Sequence, residues 1–210
     1  GKSSLMVAWS TALAVGCSFG RFKVQGTARV VSYNVEDDAE EQKRRYSAML
    51  GKLCLGHDAL GGRLAIIGPE HVGTLLHQGR NGGMLLNTPV MDKLMAFVDI
   101  HQPDVLMLDP FVELHGAEEN DNTAIRAVMA AFRHIASARQ MAVVLLHHAR
   151  KGVGTPGDPD SLRGASSIVG AARVALTLNV MTEDEAKSFN VRSDVRRDYF
   201  RLDGAKSNYA

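Results

Sequence analysis

The sequence predicts an α/β fold, a mostly parallel central sheet with helices on both faces. Three observations carry that prediction. Apolar and β-branched runs alternate along the chain with segments of helical periodicity, the order that places crossover helices between parallel strands. The runs near 105–108 and 142–146 are continuously apolar rather than alternating, as in strands buried on both faces. Gly, Pro and Asp punctuate the boundaries between them. The 210 residues suffice for one globular domain with a sizeable core. Apolar residues at 45% and charged residues at 22% exclude a disordered or fibrous chain. Lys and Arg number 24 against 23 Asp and Glu, which excludes a protein that coats nucleic acid by bulk charge but leaves room for a local basic loop.

The elements follow in order. Residues 4–15 are rich in Leu, Met, Trp and Ala and predict a buried helix, closed by Gly16 and Gly20. Residues 28–35 (ARVVSYNV) read as a strand. From Asp38 to Leu53 acids come first and bases later, matching a helix dipole. Residues 64–67 read as a short strand, and 77–83, with its glycines, as a turn or hairpin. Thr88 as a cap and Pro89 as the first helical residue open a helix to His101. A strand at 105–108 lies between Pro103 and Pro110. Residues 121–139 form a long helix with Ile125, Val128, Met129, Phe132 and Ile135 on one face. The strand at 142–146 ends in His147 and His148, and 151–161 holds Gly, Pro and Asp in a run that reads as a mobile surface loop. A strand at 174–180, a short helix at 183–189 and a strand at 199–202 complete the chain. The whole of 1–210 reads as a single domain.

Gly1-Lys2-Ser3 fits the last three positions of the phosphate-binding pattern G-x-x-x-x-G-K-[ST], with Ser4 next to it at the helix start. There backbone amides cradle phosphates, the Lys reaches the outer ones, and the hydroxyl holds Mg²⁺. The first five positions of the pattern, and the strand expected before them, are not in the sequence. The chain therefore reads as an excerpt, incomplete at its N-terminus and at its C-terminus. Val105 to Asp109 supplies the partner element, a buried strand that delivers a carboxylate at its end for the Mg²⁺ shell. Glu36 follows the strand ending at Val35 and suits a general base that orients water, the alternative being that it, Asp37 and Asp38 only cap the next helix. Either His147 or His148 suits a sensor of the outer phosphate.

Cys17 and Cys54 lack metal-ligand spacing and read as free thiols of a reducing cytoplasm. No apolar run approaches the length of a membrane span.

The set Lys2, Ser3, Glu36, Asp109 and His147-His148 resembles the RecA-like ATPases. The stretches LLHHARKG (145–152), SLRGASSIVGAARVAL (161–176), VMTEDEAKSFNV (180–191) and GAKSNYA (204–210), with the acidic FVELHGAEENDN (111–122), are similar to RepA-type plasmid hexameric helicases and their relatives among AAA-family ATPases. The resemblance implies a RecA-like P-loop core that takes ATP and Mg²⁺. In it Gly1, Lys2, Ser3, Ser4, Asp109 and His147 line the nucleotide, Ser3 and Asp109 hold the metal, and Glu36 is the catalytic base. His148 senses the γ-phosphate, and Arg173 is a finger reaching a neighbouring subunit's nucleotide. It also implies a cytoplasmic homo-hexamer, a replicative helicase of a plasmid, phage or mobile element, acting on single-stranded DNA. Arg150, Lys151, Arg163 and Lys206 are the candidate DNA contacts. The alternative is a nucleotide-switched regulatory or scaffold protein of the same fold that does not unwind DNA.

Overall fold

The structure is a computed structural model, and it describes residues 1–79, 84–115, 122–148 and 165–209. The chain divides into two compact units, Gly1–His148 and Ala149–Ala210.

The first unit opens with helix α1 (Lys2–Val15), which starts two residues before the apolar run, with Gly1 at its cap position. Strand β1 (Val30–Asn34) follows, then α2 (Ala39–Lys52), whose cap is Asp38 accepting from the Glu41 N–H at 2.7 Å. Strand β2 (Leu64–Ile67) comes next, and then an antiparallel pair, β3 (Leu76–Gln78) and β4 (Met84–Leu86), where glycines had signalled a turn or hairpin. Helix α3 (Thr88–His101) takes Thr88 inside it, with Asn87 at the cap position, so the cap lies one residue earlier than the Thr-Pro signal suggests. Strand β5 (Val105–Asp109), a short helix α4 (Phe111–His115), helix α5 (Asn122–Arg139) and strand β6 (Ala142–Leu145) complete the unit.

Four of these strands form one sheet in the order β2-β1-β5-β6, and every pairing is parallel. All five residues of β1 are buried, so side chains pointing to either face are covered, as the continuous apolar runs require. On the α1 face Met6, Val30 and Met107 form a core cluster, with Trp9, Leu13, Val105 and Val144 packed around it. Alternation along the strands sends Val31, Tyr33, Leu106 and Leu108 to the opposite face, where all four are buried. The register sets Asn34 directly beside Asp109 at the C-terminal edge.

The second unit contains α6 (Ala165–Ala171), β7 (Val174–Val180), α7 (Glu183–Ser188) and β8 (Phe200–Ser207). β7 and β8 pair antiparallel along their length, with an irregularity between Ala175 and Leu176. β8 is longer than the strand expected at 199–202, because pairing with β7 recruits Gly204 and Lys206, residues of low strand propensity. Among the described residues no helix is long and apolar enough to cross a membrane. The segment expected as a mobile loop, 151–161, lies outside the described residues.

Candidate functional site

The site is assembled where a helix begins and three strands, β1, β5 and β6, end. α1 carries no acidic residue in its first turn, so its free N–H groups and positive dipole end are not offset by its own side chains. Lys2 and Ser3 sit on that turn. The Ser4 hydroxyl accepts from the Gly1 amino group at 3.4 Å, tightening the helix start.

Asp109 ends β5 with only 2% of its surface exposed. Burial pushes its carboxyl above the ordinary aspartate range. The Ser3 hydroxyl and the Lys2 ammonium pull it back down, the Asp37 carboxylate pushes it up, and His148 pulls it down. Lys2 shows the complementary shift: burial lowers its ammonium, and the carboxylates of Asp109 and Glu36 raise it. Four distant stretches of chain thus converge, bringing Lys2, Ser3, Glu36, Asp109 and His148 into one electrostatic neighbourhood. His147 lies one residue earlier, its ring edge-on to Phe111 with centroids 6.0 Å apart.

The turn after β1 is ordered by a residue that sequence reasoning passed over. Asn34 is as buried as Asp109. Its Oδ1 accepts from the backbone N–H groups of Glu36 and Asp37, each at 2.8 Å. Its Nδ2 donates toward Asp109 Oδ2 at 3.3 Å and Asp37 Oδ2 at 3.4 Å. Arg45 of α2 also holds Asp37, at 2.9 Å. The signal was present as Asn followed at two and three residues by acceptable turn partners, the Asx pattern. Asp38 does cap α2, while Glu36 stays exposed and does not.

An apolar recess of about 380 Å³, lined by Trp9, Phe19, Phe22, Val24, Met107 and Val144 among others, lies on the α1 face. It also reaches Val105 and Ala142, where β5 and β6 begin, and none of the convergent residues lines it. The polar chemistry is therefore at the opposite, C-terminal edge of the sheet.

The sequence of residues 1–154 matches the profile of the AAA domain family. The chain belongs to that family. A solved structure with which this AAA domain superposes is a KaiC-like protein from the hyperthermophilic archaeon Pyrococcus horikoshii OT3, at 13% identity and a TM-score of 0.53. The match covers 87% of this chain and 66% of that one, so the chain spans a little under two thirds of the relative's length. The likeness identifies the fold as a RecA-like P-loop NTPase core, as expected from the sequence. A RecA-like P-loop ATPase of the AAA type is the class that the family and the fold jointly support.

The remaining expected residues fall elsewhere. Arg173 is exposed in the second unit, just before β7, where its carbonyl accepts from the Asn208 N–H at 3.0 Å. Lys206, also in that unit, donates from its ammonium to the carbonyls of Val169 at 2.8 Å and Gly170 at 3.1 Å, at the C-terminal end of α6. Arg150, Lys151 and Arg163 lie outside the described residues.

Proposed function

We propose that this AAA domain is the ATP-hydrolysing core of a RecA-like motor that acts on DNA, a homo-hexamer of the replicative-helicase type. The observation that carries the hydrolytic part is the convergence of Lys2, Ser3, Glu36, Asp109 and His148 at the N-terminus of α1 and the C-terminal sheet edge. An anion is favoured there by the helix end and the Lys2 ammonium. Lys2 binds the outer phosphates of ATP. Glu36, exposed and electrostatically linked to Lys2, orients the attacking water and takes its proton, and His148 faces the γ-phosphate.

The donor set fits Mg²⁺. A hydroxyl and a carboxylate lie side by side, both hard oxygen ligands, and burial leaves the charge of Asp109 under-compensated in a way a cation offsets. Ser3 and Asp109 would hold it. When bound, such an ion neutralises charge on the phosphate oxygens.

The motor part rests on the resemblance of the C-terminal half and on two features. Arg173 is exposed, as a finger offered to a neighbouring subunit must be. Arg150, Lys151 and Arg163 give a glycine-rich segment its positive charge, suited to phosphates of single-stranded DNA. Because the Lys206 ammonium is engaged by carbonyls of its own unit, the DNA reading rests on the other three.

The test is Mg²⁺-dependent ATP hydrolysis by the full chain, with and without single-stranded DNA. Lys2→Ala is expected to lower hydrolysis on the order of 10²-fold or more. Arg173→Ala is expected to spare nucleotide binding and slow hydrolysis by about 10³-fold, with partial recovery when mixed with Glu36→Ala. Tight binding without turnover, and no response to DNA, would replace the motor with a nucleotide-switched regulator.

A further inference from the structure

We propose that Asn34 is the positioning residue of this site, the side chain that fixes the Glu36-bearing turn and the Asp109 carboxylate to one another. The inference rests on the hydrolytic reading above and names the part that makes its geometry reproducible. Asn34 is the last residue of β1, sits beside Asp109 in register, and is buried. Its amide has no freedom to flip. The acceptor oxygen faces two backbone N–H donors and the amino group faces two carboxylates, so the reversed orientation would set donor against donor and acceptor against acceptor.

Each contact has a distinct effect. The two acceptor bonds, at 2.8 Å, close the turn that leaves Glu36 exposed at the site. The two donor contacts, at 3.3 and 3.4 Å, are long for N–H···O bonds, so the turn is the firmer half of the bracket. Nδ2 lies between two carboxylates that repel one another and points an N–H at each. β1 itself does not depend on these bonds, because its ladders to β2 and β5 hold it on both sides. Arg45 holds Asp37 independently. Loss of the Asn34 amide therefore falls on the two groups that reach the substrate, Glu36 and Asp109, while the phosphate-binding turn of α1 is untouched.

The experiment measures kcat and KM for ATP in the full chain, with thermal melts to confirm folding. Asn34→Ala is expected to lower kcat on the order of 10- to 100-fold with KM within about threefold, the signature of misplaced groups rather than lost binding. Asn34→Asp keeps the acceptor bonds and the turn but faces two carboxylates with a third. It is expected to fold and to lose kcat in the same sense, and it decides the matter should Asn34→Ala fail to fold. In a Glu36→Gln background Asn34→Ala is expected to cost clearly less than in the wild type, because one of the two groups it positions is already gone and only the Asp109 contact remains to be lost. Wild-type turnover in both single variants, a loss confined to KM, or full multiplicativity with Glu36→Gln would overturn the proposal while leaving the ATPase reading intact. A wild type that does not hydrolyse ATP, or hydrolysis unaffected by Lys2→Ala, would overturn the ATPase reading and this proposal together.

Discussion

At Asp109 the protein keeps a carboxylate where its charge is poorly supported. Burial outweighs the help of Ser3 and Lys2, so the folded group holds its proton more tightly than an unfolded aspartate does. The sign follows: between the ordinary aspartate value and the raised one the native state binds more protons, and stability falls as pH rises through that window. Calorimetry of the nucleotide-free protein from pH 3 upward is expected to show that loss, and Asp109→Asn to lack it. At neutral pH the variant's melting temperature is expected to rise by about 2–4 °C for each kcal/mol of relief, while hydrolysis is lost. A variant that melts at or below the wild type across the range would show that the carboxylate is well compensated after all. Asp109 was legible in the sequence because an apolar run ending in one acid leaves little choice of position. Asn34 was not, because an Asn at a strand end reads first as a turn former, and its second pair of partners, across the sheet, is non-local.

The end of α1 shows what the helix needs besides an apolar face. Gly16 adopts φ +81° and closes the helix with its N–H on the Ala12 carbonyl at 2.9 Å. A Cβ there would come within 2.9 Å of the Gly26 carbonyl oxygen, whereas Gly20, at φ +55°, has nothing within 4 Å. Arg63 adds a bond from Nε to the Ala14 carbonyl at 2.6 Å. Gly20→Ala is therefore expected to cost about 1–2 kcal/mol, from backbone strain alone. Gly16→Ala adds overpacking and is expected to cost roughly 1–3 kcal/mol more. Urea unfolding of the two variants checks the order, and equal costs would mean that the loop carrying Gly26 yields freely. The helix stop at Gly16 was legible from the residue type, but its tight approach to Gly26 was not. α4 was hidden for a similar reason, since five residues after Pro110 are too few to show a period. Non-local pairing likewise extended β8 past what its own composition suggests.

Across the whole chain, the parallel sheet of the first unit was the most legible feature, because strands buried on both faces leave unbroken apolar runs. The division into two units left no comparable mark in composition. Nucleotide binding within Gly1–His148 is expected to stabilise that unit by mass action, by about 2.7 kcal/mol at a hundredfold excess over Kd. The shift of the urea midpoint is expected to vanish in Lys2→Ala, and its persistence there would move the ligand away from α1. The chain supplies the means to see this. Its single tryptophan, Trp9, lies on α1 against the edge of Phe22, with ring centroids 5.7 Å apart. All indole fluorescence from the 210 residues therefore originates at one place, about 10 Å along the helix from Lys2. A change in emission colour or quenching on adding nucleotide would report how that helix seats against Phe22, an optical gauge built into the helix proposed to meet the phosphates.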